Sequence, residues 1–366
     1  MKLISLYAGS GGLDYGFKKL NFKSIVTNDI DKDCCLTIKK FLGINPICAD
    51  INNLLDKLPE TDVLIGGPPC QSFSLLGKRE KNDPRGKEVF NFLAAVKKTN
   101  PKALLFENVL GLSNSRINNI RLTDYIKNKL EKMGYLCTQQ KFNCTEYLIP
   151  QTRVRYIIIG WKKNLKIPTI PNIRDLKKIL NIDSDQDITY IFDALNDLPK
   201  PVKKGEYANY LHQPNCFFQK FARQDLKRID KISHHFEFKM SDRDKSYVKY
   251  IKPGGNYTQI PDSISSPRIM RIKQTGGRTT TYGRLHKQKF SATVNTYFNR
   301  PNVGTNYHYS QQRLITPREA MRIQSFPDSF SPEFSNLRSL CKQIGNAVPP
   351  LLSIVLAKTI KSIFRK

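Results

Sequence analysis

Acidic residues are scarce in this chain. Its 366 residues include 31 Asp and Glu against 60 Lys and Arg, which gives a formal net charge of +29 at pH 7. No acidic residue occurs between Asp262 and Glu319, although basic and aromatic residues are frequent there. This excess indicates a polyanionic partner, but charge alone does not distinguish DNA from RNA or a membrane surface. A stretch without counter-charges favours phosphate contact over an ordinary solvated face.

Long apolar runs and metal-ligand spacings are also missing. No run approaches the roughly 20 apolar residues that a membrane helix needs, so we expect no membrane span. The eight cysteines show no paired C-x-x-C spacing and the five histidines show no ligand spacing. We therefore predict no metal site. Because no signal peptide is recognisable, a reducing cytoplasm is favoured over a disulfide framework.

A rigid turn follows one short apolar run. The run at residues 62–65 indicates a buried strand, and it is followed by Gly66-Gly67-Pro68-Pro69-Cys70-Gln71-Ser72-Phe73-Ser74. Glycine permits unusual backbone angles and proline fixes φ. Loops at the carboxyl ends of strands are where open α/β sheets bind ligands. A lone cysteine is most often a small buried hydrophobe, but this context favours Cys70 as a nucleophile.

A carboxylate ends a second apolar run. Residues 101–106 are mostly apolar and lead into Glu107-Asn108-Val109. A carboxyl group at the end of a buried strand is costly unless it is paired or its pKa is raised. The alternative is an ordinary surface acid. A thiol and such a carboxyl suit an electron-poor ring better than an ester, because no Ser-His-Asp arrangement accompanies them.

The amino terminus predicts a cofactor site. A strand at residues 3–7 is followed by a glycine turn that enters a helix, and the next strand ends in Asp29. A further acid, Asp50, follows a short apolar run. An acid about 20 residues after such a turn suits ribose hydroxyls. The turn lacks regular G-x-G-x-x-G spacing, which favours an adenosine-bearing cofactor other than a nicotinamide dinucleotide.

Together these segments resemble the DNA cytosine-5 methyltransferase family, and the resemblance covers most of the chain. The motifs follow the family's order, with one long variable gap after the fourth. They are Tyr7-Ala8-Gly9-Ser10-Gly11-Gly12, Gly67-Pro68-Pro69-Cys70-Gln71, Glu107-Asn108-Val109, Gln151-Thr152-Arg153-Val154-Arg155, the run 313–319, the run 322–327 and the run 343–350.

The resemblance implies an α/β fold. We expect a Rossmann-like S-adenosylmethionine-dependent methyltransferase sheet with a second, smaller target recognition domain. Residues 1–199, completed by 331–366, are expected to form the catalytic domain, and residues 200–330 the target recognition domain. The C-terminal run 351–360 is expected to form a helix that packs on the catalytic sheet.

The same resemblance implies four catalytic residues. Cys70 is expected to add to carbon 6 of a cytosine rotated out of duplex DNA, which makes carbon 5 able to accept a methyl group from S-adenosyl-L-methionine. Glu107 would hydrogen-bond N3 and the exocyclic amine, and Arg155 would hold the O2 edge. Arg153 would anchor the site and a nearby phosphate.

Binding residues are implied for both substrates. The cofactor set comprises Tyr7, Ala8, Gly9, Ser10, Gly11, Gly12, Asp29, Ile30, Asp50, Ile51, Pro69, Asn346 and Val348. The DNA set comprises Gln71, Ser74, Lys78, Arg79, Arg85, Arg271, Lys273, Arg278, Arg284 and Thr293.

The resemblance also suggests a biological setting. We expect a cytoplasmic bacterial enzyme, monomeric and nucleoid-associated when bound to double-stranded DNA, that protects host DNA from a cognate restriction endonuclease. Two alternatives stay open: a tRNA cytosine-5 methyltransferase of the same architecture, and a DNA-binding protein without catalysis. A methyltransferase acting on exocyclic amines would need an Asp/Asn-Pro-Pro-aromatic motif, in place of which this chain has Gly-Pro-Pro-Cys.

Overall fold

The computed structural model describes residues 1–69, 87–117, 119–226 and 231–365. The chain divides into two compact units. The first unit comprises Met1–Asn143, Val154–Asn172 and Leu352–Lys366, and the second comprises Cys144–Arg153 and Ile173–Leu351. The second unit therefore begins before residue 200, takes in the short segment 144–153 and is not the smaller of the two, unlike the second domain expected from the sequence. Its assignment to target recognition stays a prediction.

The secondary structure alternates strands and helices through the first unit and is mainly helical in the second. The strands are β1 (Lys2–Leu6), β2 (Lys23–Asp29), β3 (Ile47–Cys48), β4 (Val63–Gly66), β5 (Ala103–Val109), β6 (Arg116–Ile117), β7 (Ile120–Arg121), β8 (Tyr135–Asn143), β9 (Val154–Lys162), β10 (Gly283–Arg284) and β11 (Thr305–Tyr307). The helices are α1 (Gly12–Lys19), α2 (Lys32–Leu42), α3 (Lys87–Thr99), α4 (Gly111–Asn114), α5 (Leu122–Lys132), α6 (Ile173–Leu180), α7 (Ile191–Leu195), α8 (Phe217–Arg223), α9 (Asp242–Val248), α10 (Pro267–Thr275), α11 (Pro317–Ile323), α12 (Leu337–Asn346) and α13 (Pro350–Ile363).

A seven-stranded sheet forms the centre of the first unit. Its strand order is β3-β2-β1-β4-β5-β9-β8. Neighbours from β3 to β5 are parallel, whereas β9 is antiparallel to both β5 and β8. The order reverses between β1 and β4, which is where open α/β sheets form their ligand crevice. The predicted α/β methyltransferase fold is confirmed.

Apolar side chains explain why the central strands form. All four residues of β4 are buried, as expected for a parallel strand covered on both faces. Helices α3 and α5 lie over one face, where the Phe92 and Phe106 rings are 5.3 Å apart. Burial of each such side chain stabilises the fold by roughly 1.5–3 kcal/mol.

The C-terminal helix α13 packs against α1 within the first unit. A Cβ atom on Gly16 would lie 2.2 Å from the Ser353 carbonyl carbon, so only glycine allows this close approach. The Gly16 amide also donates to the Ser353 hydroxyl at 2.9 Å. The expected C-terminal helix is present and packs on α1, and its packing directly on the sheet stays a prediction. Among the described residues no single helix is both long and apolar enough to cross a membrane, and only the bent pair α12 and α13 reaches that length together.

The second unit contains buried ion pairs that hold its helices. The fully buried Arg322 contacts Asp197 at 3.2 Å and Asp328 at 2.5 Å. Arg313 contacts Glu319 at 2.6 Å. Burial by itself would raise the pKa of Glu319, but the Arg313 guanidinium outweighs it and lowers that pKa to about 2.

Candidate active site

Cys70 and Glu107 belong to segments at the edge of the sheet that holds the carboxyl ends of its parallel strands, with Cys70 after β4 and Glu107 inside β5. The turn after β1, the turn after β4 and the last residues of β5 meet there because these strands are adjacent and parallel. Cys70 lies outside the described residues, as do the predicted DNA contacts Gln71, Ser74, Lys78, Arg79 and Arg85. The described part of this turn ends at Pro69.

Gly67 lies against the predicted acid. A Cβ atom at Gly67 would be only 2.8 Å from Glu107 Oε2 and 3.6 Å from the Glu107 carbonyl oxygen. Any other residue would force the carboxylate or the turn to move. The glycine before Pro68-Pro69 therefore permits a close approach to Glu107, in addition to making the turn tight.

Asn108 fixes the same turn and has no role in the sequence-based prediction. Its side-chain amide donates to the Pro68 carbonyl at 2.9 Å, and its Oδ1 accepts from the Val109 amide at 2.9 Å. Asn108 is buried, so these bonds are shielded from water. The amide thus positions the backbone two residues before Cys70. Its place beside Glu107 in the sequence is the signal that could have revealed this role.

Glu107 lies inside β5 and not after it, because the strand continues to Val109. Its carboxylate forms an ion pair with Arg155, with Oε1 and Nε 2.7 Å apart. Both side chains are about one-tenth exposed, at 11% and 8%. The two are adjacent because β9 is antiparallel to β5 and places Arg155 opposite Val109. A buried carboxylate needs such a partner, which confirms that Glu107 is paired.

Two contacts fix the Arg155 guanidinium. Its Nε lies 2.7 Å from Glu107 Oε1, and its Nη1 donates to the Val154 carbonyl at 3.0 Å. A fork of fixed donors beside a carboxyl group can recognise a planar ring that has both donors and acceptors on its edge.

Arg153 belongs to the second unit, although it is only two residues from Arg155. Its guanidinium is 1% exposed and donates to the carbonyls of Val294 at 3.2 Å, Gly345 at 2.9 Å and Ala347 at 3.0 Å. These contacts make Arg153 a brace within that unit. A phosphate-anchoring role for it stays a prediction.

Gln151 shares this bracing with Arg153. Its Oε1 accepts from the Val294 amide at 2.8 Å, and its Nε2 donates to Gln324 Oε1 at 2.9 Å. Ser291 and Val294 are buried, whereas Thr293 between them is exposed. The structure therefore presents Thr293 to solvent on a fixed segment. That Thr293 contacts DNA stays a prediction.

The turn after β1 has three residues in the left-handed region of φ. Tyr7, Gly9 and Gly11 have φ of +56°, +56° and +82°. The Gly9 amide donates to Asp29 Oδ2 at 2.7 Å, and the Asp31 amide donates to Asp29 Oδ1 at 2.9 Å. A Cβ atom at Gly9 would meet nothing within 4 Å, so open space borders this turn.

The other predicted cofactor residues differ in accessibility. Ile30 is 69% exposed beside Asp29, whereas Ile51 is 4% exposed in the core. The Asp50 carboxylate caps a short 3-10 helix by accepting from the Asn52 amide at 2.8 Å. Pro69 is exposed. Asn346 and Val348 lie in the second unit, the first exposed and the second buried.

Glu88 and Asp14 are two acids near the cofactor loop that the sequence-based prediction missed. Glu88 Oε2 accepts from the Tyr7 hydroxyl at 2.8 Å, and burial together with this bond raises the pKa of Tyr7. Asp14 is 1% exposed and burial raises its pKa to about 6. Interactions with the Ser5 hydroxyl and with the Asp14 backbone lower that pKa but offset the effect of burial only in part.

The predicted basic DNA contacts fall into two groups. Arg271 and Arg278 are exposed. Lys273 instead pairs with Asp262 at 2.5 Å, and Arg284 donates to the carbonyls of His308 at 3.1 Å and Ile251 at 2.8 Å. Sequence composition does not separate these groups, because each residue has the same charge.

A surface pocket lies away from all of these residues, within the second unit. It has a volume of about 460 Å³. It is lined by Arg174, Lys177, Lys178, Asn181, Ile182, Asp183, Ser184, Asp185 and Asp187. None of the predicted site residues lines it, and its mixed charges indicate no particular ligand. The strand-end geometry is the better guide to the site.

Comparison with known sequences gives a family match over nearly the whole chain. The family described as C-5 cytosine-specific DNA methylase matches residues 1–362. The type II methyltransferase M.FnuDI of Fusobacterium nucleatum is 32% identical over 369 aligned positions, covering 99% of this chain and 94% of that protein. The type II methyltransferase M.NgoFVII of Neisseria gonorrhoeae is 30% identical, covering 99% and 87%.

Solved structures share the fold. A protein assigned as a DNA modification methyltransferase encoded within a prophage (E. coli) has a TM-score of 0.75 and 22% identity, with 100% of both chains covered. The S. pombe Dnmt2 methyltransferase has a TM-score of 0.63 and 16% identity, also with both chains fully covered.

Proposed function

The chain belongs to the C-5 cytosine-specific DNA methylase family, and on that premise we propose that it methylates carbon 5 of cytosine within a specific sequence of duplex DNA. The observation that carries the proposal is the Glu107–Arg155 pair at the carboxyl edge of the sheet, beside the turn that leads into Cys70. The pair supports recognition of a cytosine edge, and the turn supports a nucleophile next to it.

Cys70 is the proposed nucleophile. Its thiolate would form a bond to carbon 6 of cytosine, and the ring electrons displaced by that bond make carbon 5 nucleophilic. After methylation of carbon 5, loss of the carbon 5 proton to water returns an electron pair to the ring and expels the thiolate. Gly67 and Asn108 support this role because they fix the turn immediately before Cys70.

Glu107 and Arg155 would hold the cytosine ring. Glu107, protonated or sharing a proton with N3, can hydrogen-bond N3 and accept from the exocyclic amine, and Arg155 can donate to O2. Withdrawing electrons in this way favours thiolate addition at carbon 6. The ring reaches the pair only when it is rotated out of the helix, which costs a few kcal/mol of stacking and pairing energy.

The loop after β1 fits S-adenosylmethionine. When bound, this cofactor supplies an electrophilic methyl group on a sulfonium sulfur. The open space beside Gly9 would accept it, the Asp29 carboxylate would hold its ribose hydroxyls, and the exposed Ile30 side chain would cover its adenine ring. Asp50, Asn346 and Val348 remain proposed contacts.

The biological role that fits these features is protection of host DNA from a restriction endonuclease. Type II methyltransferases are the relatives with the matching length and sequence. We propose that the protein acts as a monomer, because one catalytic site and one recognition domain suffice for the reaction. Methylated plasmid should then resist an endonuclease that cuts the same sequence, and the protein should sediment as a single chain.

The decisive experiment measures methyl transfer from labelled S-adenosylmethionine to duplex DNA and, in parallel, to tRNA. We expect methylation of duplex DNA only. Cys70→Ser should abolish transfer while DNA binding is retained, and Cys137→Ser on the edge strand β8 serves as the control.

A duplex containing 5-fluorocytosine should also crosslink to Cys70, because fluorine cannot leave as a proton does. Transfer to tRNA alone, or full activity of Cys70→Ser, would contradict the proposal.

A further inference from the structure

Helix α10 of the second unit has one anchored face and one free face. It extends over Pro267–Thr275 and begins with the Ser266 hydroxyl accepting from the Ile269 amide. The exposed side chains are Pro267, Arg268, Arg271, Gln274 and Thr275. At 3.6 residues per turn these five positions fall within an arc of about 120°. The free face is therefore a continuous stripe, and it is polar except for Pro267 at its start.

The opposite face of α10 is fastened to the unit. Ile269 is fully buried, and Lys273 is tied to Asp262 at 2.5 Å. At the end of the helix, the Gly277 amide donates to the Tyr257 hydroxyl at 2.9 Å, and the Ser266 amide at its start donates to the Tyr247 hydroxyl at 3.1 Å. Both ends are held, so the stripe is presented by a fixed element.

The stripe carries charge without local compensation. The described residues include no ion-pair partner for Arg268 or Arg271. The adjacent sequence contains no acid from residue 263 to residue 318. Helix α9 offers a contrast, because its exposed Arg243 lies between Asp242 and Asp244. A polyanion would be attracted to α10 and not to α9.

The side-chain types are those that read bases. Arginine donates two parallel hydrogen bonds to guanine O6 and N7, and glutamine pairs in the same way with adenine N6 and N7. A helix about 10–12 Å across also matches a major groove about 12 Å wide. Gln274 is uncharged and would add little to a surface that bound phosphate alone. The one lysine of α10, Lys273, is paired with Asp262.

We propose that α10 lies in the major groove of the target DNA, where Arg271 and Gln274 read two base pairs of the recognition sequence and Arg268 contacts a flanking phosphate. This inference rests on the proposed DNA methylation and goes beyond it by naming the helix and side chains that select the sequence.

The test is bisulfite sequencing of DNA from a host without cytosine-5 methylation that expresses the wild-type protein or a variant. Gln274→Ala and Arg271→Ala should each relax one different position of the motif, with discrimination there reduced about 5- to 150-fold. Arg271→Lys should relax the same position as Arg271→Ala, because lysine keeps the charge but loses the paired donors. Arg243→Ala is the matched control and should leave the motif unchanged.

Each other outcome overturns a defined part of the proposal. An unchanged motif in Arg271→Ala and Gln274→Ala, with folding verified by circular dichroism, would remove α10 from base recognition. Equal weakening on all sequences, with a salt dependence reduced by about one charge for Arg271→Ala, would make the stripe a phosphate contact. Absence of methylation by the wild-type protein would contradict the proposed function itself.

Discussion

Two arginine–carboxylate clusters in this protein have the same chemistry and different settings. In the first unit Glu107 pairs with Arg155, and both side chains keep about one-tenth of their surface exposed. In the second unit Arg322 pairs with Asp197 and Asp328, and these side chains are 0%, 0% and 1% exposed. Access therefore separates a pair that can meet a substrate from one that holds a fold.

The two clusters also differ in the partners of their central arginine. Arg322 donates to both aspartates and to the Ala194 carbonyl at 2.9 Å, so Nε, Nη1 and Nη2 are all occupied. Among the described residues, Arg155 has one carboxylate partner, Glu107, and its Nη1 donates to the Val154 carbonyl. Exposure is therefore a better guide to function than charge pairing alone.

The strongest test of this comparison is Glu107→Gln. We expect methyl transfer to fall about 10²- to 10⁴-fold, because the glutamine amide can donate a hydrogen bond to N3 but cannot transfer a proton to it. The fold should persist, since glutamine still fills the space beside Arg155. Single-turnover transfer and the melting temperature should be measured on the same samples. Glu131→Gln, in an exposed pair with Lys127, is the control. If Glu107→Gln unfolds the protein, the Glu107–Arg155 pair has a structural role like that of the Arg322 cluster.

The converse test is Arg322→Met. It removes the cation from a buried cluster and leaves two carboxylates without it, which should cost about 3–5 kcal/mol of unfolding free energy. Urea denaturation measures the change. Lys177→Met breaks an ion pair whose Asp187 partner is 71% exposed, and it should cost less than about 1 kcal/mol. Equal losses of unfolding free energy in the two variants would show that burial does not determine how much such an ion pair matters.

Gly67→Ala tests the close approach of the turn to Glu107 in the Glu107–Arg155 pair. The new methyl group would lie 2.8 Å from Glu107 Oε2 and should displace the carboxylate or the turn. A displacement of about 1 Å in such a site can cost about 10²-fold in rate. Gly111→Ala, whose Cβ would make only an ordinary contact at 3.9 Å, should retain activity. Normal transfer by Gly67→Ala would show that the close approach is unimportant.

Substitution of Asp14 tests the cost of burying a carboxyl group. Its pKa is raised to about 6 in the folded protein, so the folded state binds its proton more tightly than the unfolded state does. Ionisation of Asp14 therefore lowers the free energy of unfolding as the pH rises from about 4 to about 6. Asp14→Asn should be more stable than the wild type at pH 8, by roughly 1–3 kcal/mol, and should lose that advantage near pH 4. Denaturation at both pH values measures this, and a pH-independent difference would contradict it.

Local sequence patterns are enough to predict the fold class and the reaction class. The runs that lead into Gly66, Glu107 and Asp29 predicted strands of an α/β sheet with functional residues at their carboxyl ends. That prediction needs only local patterning, because strand periodicity and turn residues are local properties. The motif order then indicated a cytosine-5 methyltransferase, and the family match agrees with it.

Which side chains act together depends on the tertiary structure and is not visible in the motifs. Arg153 and Arg155 stand two residues apart in one motif, yet one braces three carbonyls in the second unit and the other pairs with Glu107 across antiparallel strands. Lys273 and Arg271 stand two apart on α10, yet one is tied to Asp262 and the other is exposed. Such partnerships depend on strand register and on which face of a helix is packed, and those contacts join residues distant in the chain.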